Sequence, residues 1–348
     1  MSSVEPGDTA PAPAPAPAAG NVFDEQRRNR RDTRLLVASF VTLLAVLGLG
    51  FDAFVLGAVV GPTVGGVPVP LPIGATLATL LGLASAWGAY RFGDRAVLAS
   101  SGARPVGAGG DGPEVARLVN VVTEMAIAAG VPMPRVYLID DPDPNAFATG
   151  RDPDHAAIAV TTGLLATMTR DELQGVVAHE MSHVRNYDIR TMTLVAALLG
   201  AALLLSDWGT RARLRVPVGR EERGERRDGR VGGPLGLVLF ALWLLAAILA
   251  PIVGRVLATA VSRRREYLAD ASGAALTRNP LGLASALRKL EAAVAPTARI
   301  RRGTAHLCIT DPLGRPVNER RGWVADLLAT HPPIATRIAR LEAMAYRR

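Results

Sequence analysis

Two long uncharged stretches constrain this chain more than any other feature of its sequence. Leu35 to Phe51 runs 17 residues without a charged side chain and can continue past Asp52 to Val60, while Val67 to Tyr90 is a second such run, with Pro68, Pro70 and Pro72 at its start. As helices, each can cover a hydrocarbon core of roughly 30 Å. Their flanks differ. Arg27, Arg28, Arg30, Arg31 and Arg34 precede the first run, Arg91, Arg95 and Arg104 follow the second, and Asp52 to Pro72 holds no Lys or Arg. Cytoplasmic loops collect basic residues, so a transmembrane hairpin is expected over 34–95, with both outer ends in the cytoplasm. Two buried helices of a soluble core are the alternative, disfavoured by length and flanks.

The net charge of +8 is almost wholly arginine. A basic chain suits an anionic membrane surface or nucleic acid. Aromatics at 5% and the lack of any helix-turn-helix or RNA-binding signature argue for the membrane and against nucleic acid. Cys308 is the single cysteine, so no intrachain disulfide is expected. Residues 1–33 read as a disordered tail, first Pro/Ala-rich and then basic, with no cleavable signal peptide.

Beyond a Gly-rich linker, 96–190 has the pattern of a soluble domain. Glu114 to Ala129 is predicted helical, with Pro113 near its start and Gly130 as its stop. Val136 to Ile139 is a predicted strand, and Ala146 to Thr149 and Ala156 to Thr162 can pair as a hairpin. Thr169 and Glu172 have capping-box spacing, so a helix should begin there. Residues 191–255 hold two more apolar runs, Met192 to Leu205 and Val231 to Gly254, joined by a loop with eight arginines from Arg211 to Arg230. Spanning by both would put that loop outside, against the charge rule. A shallow hairpin in the inner leaflet would not, and the sequence leaves both open. Residues 256–348 read as helical, with a loop from about Ala295 to Gly322.

The chemical signal is His179-Glu180-Met181-Ser182-His183. Histidines at i and i+4 share one helix face and can reach one metal, leaving Glu180 free to act as a base toward water at that metal. A catalytic zinc site needs a third protein ligand. Glu266 can complete the set, and Asp270, one turn along, can fix the tautomer of a ligand imidazole. By composition alone, after Arg263, Arg264 and Arg265, the two carboxylates can equally be a solvated helix face.

His179 to His183 with Val184 to Asp188, together with Glu266 to Asp270, resemble the HtpX-type membrane zinc metalloproteases, relatives of the CAAX prenyl proteases and Oma-type peptidases. The resemblance extends to Asn145–Gly150 and His331–Ile338, and covers the chain from about Arg34 to its end. Tyr187 departs from it, standing where a basic residue is expected. The resemblance implies an α+β, mainly helical, zincin-like (gluzincin) domain with four hydrophobic membrane-associated segments. It implies one zinc ion held by His179, His183 and Glu266, Glu180 as catalytic base, and Asp270 supporting a ligand histidine. His331 is implied as a second catalytic group beside the oxyanion, although a cap at a helix start is the other reading of it. Arg337 is expected to anchor the last helix. Asn145, Ala146 and Phe147 are implied to form an edge strand that pairs with extended substrate. The expected activity is endopeptidase cleavage of misfolded or damaged membrane proteins, at the cytoplasmic face of the inner (plasma) membrane, in a multi-pass protein. A lipidated-C-terminus protease is a rival that the chain's length disfavours. A scaffold with structural zinc is another, and it leaves Glu180 without a purpose. His155, His306 and Cys308 are expected to be structural.

Overall fold

The computed structural model describes residues 22–54, 63–64, 67–68, 72–107, 112–198, 264–293, 307–309 and 332–346. Helix α1 spans Val22–Phe54, so it begins well before the apolar run, and the tail expected over 1–33 is helical from Val22 onward. Asp24 and Glu25 sit in its first turn and pair one turn on with Arg27 at 2.6 Å and Arg28 at 4.0 Å. Exposed pairs of this kind are worth well under about 1 kcal/mol each. What holds the segment is therefore its docking on the rest of the protein, described below.

A short strand pair, β1 (Thr63–Val64) with β2 (Val67–Pro68), lies between α1 and α2, which spans Ile73–Ser100. The two long helices pack together, and the acid in the apolar run has a structural reason. Asp52 is buried and accepts the backbone N–H groups of Gly74 at 2.7 Å and Ala75 at 2.9 Å, capping a helix whose Pro72 offers no side-chain cap. Val46, Leu49, Leu77, Leu80, Leu81 and Trp87 face outward. A continuous apolar exterior of this kind is costly in water and matches lipid. Both α1 and α2 are long and apolar enough to cross a membrane.

The remaining elements form a helical domain around a small sheet. In order they are β3 (Arg104–Pro105), α3 (Pro113–Ala129), β4 (Arg135–Ile139), β5 (Ala146–Thr149), β6 (Ala157–Thr161), α4 (Thr162–Thr167) and α5 (Arg170–Arg185). After these come α6, described over 188–198, α7 over 264–277, α8 (Pro280–Ala292) and α9 (Ile334–Ala345). Gly130 ends α3 in the left-handed conformation, φ 67°, as a stop signal of that type should. The strand order is β3-β4-β6-β5, with β4 and β6 parallel and the expected β5–β6 hairpin antiparallel.

Alternation along β6 assigns its two faces. Ile158 and Val160 join Leu118, Val122, Leu173, Val177, Leu283 and Leu287 in the main core between the sheet and α3, α5 and α8. Ala157 and Ala159 face the other way, onto Val97 and Leu98 at the end of α2, Phe147, and Met192 and Ala196 of α6. The second membrane helix is thereby packed onto the sheet. Arg135 of β4 also pairs with Asp94 of α2 at 2.7 Å.

Four apolar membrane segments were expected; among the described residues only α1 and α2 qualify as candidate spans. The run 231–254 lies outside those residues, as does 199–205. The described start of the other run is buried in protein, since Met192, Leu194 and Ala196 are covered and Thr193 lies against Gly93 of α2.

Candidate metal centre

The site is built on α5. Its start is fixed by a complete capping box: Thr169 accepts from the Glu172 N–H, and the Glu172 carboxylate accepts the Thr169 N–H at 2.8 Å. Burial pushes the Glu172 carboxyl up, but bonds from Lys289 and Ser285 of α8 and from Thr169 outweigh it and hold the group at about 2. Farther along, a Cβ on Gly175 would meet the backbone nitrogen of Leu283 at 2.7 Å, and one on Gly273 of α7 would meet that of His179 at 3.0 Å. Small residues thus let α8 and α7 close directly onto the histidine helix.

α5 carries His179, Glu180 and His183, all buried, with the two imidazole rings 4.9 Å apart and perpendicular. α7 brings Glu266 to them. His179 Nε2 lies 3.6 Å from Glu266 Oε2, and His183 Nε2 lies 3.6 Å from Glu266 Oε1. These separations are too long for hydrogen bonds. They approach the spacing of about 3.3–3.4 Å between neighbouring ligands on a tetrahedral zinc ion with bonds near 2.0–2.1 Å. Potential ligand atoms of all three residues lie within 4.8 Å of one another.

Each imidazole has its other nitrogen on a carboxylate. His179 Nδ1 is 3.0 Å from Asp270 Oδ1, and His183 Nδ1 is 3.1 Å from Asp188 Oδ2. His183 Nδ1–H donates to Asp188, and the Asp270 carboxylate beside His179 Nδ1 favours a proton on that nitrogen, so each Nε2 lone pair can face the common point, which is the tautomer a metal requires. Burial lowers the His179 imidazole, but Asp270 and Glu266 outweigh that loss and the opposing charge of Arg337, holding it at about 9. Glu180 is buried too, and one of its oxygens takes the Ala148 N–H. Its Oε2 has no partner among the described residues. Burial pushes its carboxyl up against the pull of His179 and His183. Two imidazoles, a carboxylate and an uncommitted buried oxygen beside them suit a zinc ion.

Asp270 is gripped from the far side by Arg337 of α9, which donates Nε and Nη2 to its two oxygens at 2.9 and 2.8 Å. Arg337 is completely buried, lies 3.5 Å from Glu266 Oε2, and donates Nη1 to the Ile309 carbonyl at 2.9 Å. It anchors the last helix, as expected, but to the centre itself. Sequence reasoning missed Asp188 altogether. It falls in the quoted run after His183, yet α5 ends at Arg185 and Tyr187 turns the chain with φ 63°, so no helical spacing links the two.

The expected open edge at Asn145, Ala146 and Phe147 is not open. β5 does end the sheet, but all three residues are buried, and Leu307–Ile309 lies along that edge. Ile309 N–H donates to the Ala146 carbonyl at 3.0 Å, and Phe147 forms an antiparallel bridge with Cys308. Cys308 is buried, and His155 bonds Asp152 in a short surface turn, so neither joins the centre. His331 and His306 lie outside the described residues.

A zinc-compatible His, His, Glu set with a free acid on the histidine helix is the constellation of a metallopeptidase. The comparisons give the same class: residues 114–345 match the model of Peptidase family M48, and the chain belongs to that family. It is 42% identical over 323 residues to a protein named Protease HtpX homolog from Caldanaerobacter subterraneus subsp. tengcongensis, covering 93% of this chain and 98% of the relative. A second Protease HtpX homolog, from Lactiplantibacillus plantarum, is 42% identical over 325 residues, with 93% and 100% covered. The crystal structure of S. mikatae Ste24p is similar at a TM-score of 0.46 and 18% identity, over 77% of this chain and 58% of that one. The chain is a membrane metalloprotease with polypeptide substrates.

Proposed function

We propose that this protein is a zinc-dependent endopeptidase that cleaves misfolded or damaged membrane proteins at the cytoplasmic face of the cell's inner (plasma) membrane. The observation carrying this reading is the single buried point shared by His179, His183 and Glu266, with Glu180 Oε2 uncommitted beside it. One zinc ion per chain, when bound there, supplies Lewis acidity, polarising the scissile carbonyl and lowering the pKa of water. Glu180 takes the proton of the attacking water at Oε2 and passes it to the leaving amine nitrogen. Burial raises its carboxyl above the ordinary carboxylate value, which strengthens it as a proton acceptor. Asp270 keeps His179 in the binding tautomer.

His331 supplies a second donor to the oxyanion. Arg337, in the first turn of α9, bonds Asp270, which ties the start of that helix to the centre. Asn145, Ala146 and Phe147 align extended substrate by backbone pairing once Leu307–Ile309 yields that edge. The domain has the gluzincin fold in two parts, 96–190 and 256–348, separated by 191–255, which carries two further apolar segments joined by an arginine-rich loop; the two candidate spans α1 and α2 support a multi-pass protein. A cytoplasmic active site is supported by the arginine flanks and by the attachment of both hairpin ends to the peptidase domain, Asn29 to Asp188 and Asp94 to Arg135.

Glu180→Gln in purified, detergent-solubilised protein tests the reading. It should retain one zinc while casein cleavage falls by at least about 10²-fold, the usual scale of lost acid–base catalysis. Undiminished cleavage would remove Glu180 as the base. Cysteine labelling at Gly61 tests orientation, and labelling there solely from the cytoplasmic side would reverse it.

A further inference from the structure

The first membrane helix does more than anchor. Asn29, on the part of α1 that precedes the apolar run, is buried and donates Nδ2 to Asp188 Oδ1 at 2.7 Å and to the Asn186 carbonyl at 2.8 Å. Asp188 holds His183 through its other oxygen, and Arg265 Nε lies 3.5 Å from Oδ1. Three further contacts bind the same stretch of α1 to the end of α5, the turn after it and the start of α6. Gln26 donates to the Arg185 carbonyl at 2.8 Å, Thr33 and Thr191 share a hydrogen bond at 2.7 Å, and the Arg30 guanidinium stacks 4.5 Å from the Tyr187 ring. Arg190 covers the same ring at 5.2 Å. The Tyr187 ring is the platform on which both arginines stack.

We infer that Asn29 is a positioning residue for the metal centre: through Asp188 it sets the orientation of His183, so this one bond made from the first membrane helix, rather than the docking of the helix as a whole, governs zinc affinity. The inference rests on His183 being a zinc ligand. A carboxylate with both oxygens hydrogen-bonded can hold an imidazole in only one orientation, whereas without Asn29 the longer Arg265 contact at 3.5 Å is what remains on Oδ1 and restrains its terminal torsion less. Asn29 lies six residues before Leu35, about 9 Å along the helix at 1.5 Å per residue, so tilt or piston motion of α1 in the bilayer is delivered at Asp188.

The test measures zinc affinity of the full chain in detergent by chelator competition, and the visible spectrum of the cobalt-substituted protein. Asn29→Ala should weaken zinc about tenfold, within the range typical of groups supporting a metal ligand, and shift the cobalt bands. The near-isosteric Asn29→Asp, which sets a second acid against Asp188, should weaken it more and keeps the question answerable if Asn29→Ala fails to fold. Thr33→Val, which cuts another bond of the same docking surface, should leave zinc affinity within twofold of wild type. Asp188→Ala should absorb the effect, so that Asn29→Ala on that background costs little more. An equal loss in Thr33→Val, additivity with Asp188→Ala, or no loss in both Asn29 variants overturns the inference. His183→Ala separates it from the underlying reading: zinc retained in that variant would refute the ligand assignment itself.

Discussion

Asp270→Asn probes the connection between the metal centre and the last helix. Asp270 is 2% exposed and Arg337 0%, joined by two hydrogen bonds of 2.8 and 2.9 Å. Breaking a buried pair by removing one partner costs about 3–5 kcal/mol, because the other charge is left in a poorly solvated place. Asparagine keeps one accepting oxygen, and Glu266 remains 3.5 Å from the guanidinium, so the lower end of the range, about 3 kcal/mol, is expected. For a domain of this size that corresponds to a drop in Tm of roughly 6–12 °C. The measurement is thermal unfolding in detergent with chelator present, so that stability and metal binding are separated. With zinc restored, a further 10–100-fold loss of zinc affinity is expected from the lost Nδ1 partner of His179, on the order typical of such groups. Adding Arg337→Met should recover most of the stability but none of the affinity, since it removes the stranded cation and not the tautomer defect. A Tm change under about 2 °C in Asp270→Asn, or a double variant as unstable as the sum of its parts, would refute the buried-pair argument.

Other expectations follow from the same geometry. Glu172 is held at about 2 against an ordinary 4.5, so its contribution of about 3 kcal/mol is present above the ordinary value and lost as pH falls from roughly 5 toward 2. Glu172→Gln should therefore lower Tm at pH 7 and converge with wild type near pH 2; an equal gap at both pH values would contradict this. Gly175→Ala should destabilise by about 1–3 kcal/mol because α8 must move off, overriding the gain of up to about 1 kcal/mol in helix propensity, and a raised Tm would show that the helices can separate freely. In the metal-free protein His179 is held at about 9, so zinc must displace its proton. Zinc affinity should fall about tenfold per pH unit as pH drops from 8 to 6, and a flat profile by chelator competition would argue against that protonated ring.

The sequence determined whatever depends on neighbours along the chain. Helical spacing put His179, Glu180 and His183 on one face, capping residues marked the start of α5 at Thr169, a glycine marked the end of α3, and two uncharged runs predicted the membrane hairpin. The third carboxylate was legible from spacing alone only as one of two readings, and the resemblance decided for Glu266. Tertiary structure decided everything that joins distant segments. It bonded Asp188 rather than a helical neighbour to His183, extended α1 back to Val22 and brought its Asn29 to Asp188, tied Arg337 to Asp270, and laid Leu307–Ile309 along the strand edge expected to stand open. None of these has a period or a local motif. A buried carboxylate or guanidinium is held by whichever partner the packing delivers, and in a chain with 39 basic residues the sequence cannot mark which few are buried at the metal.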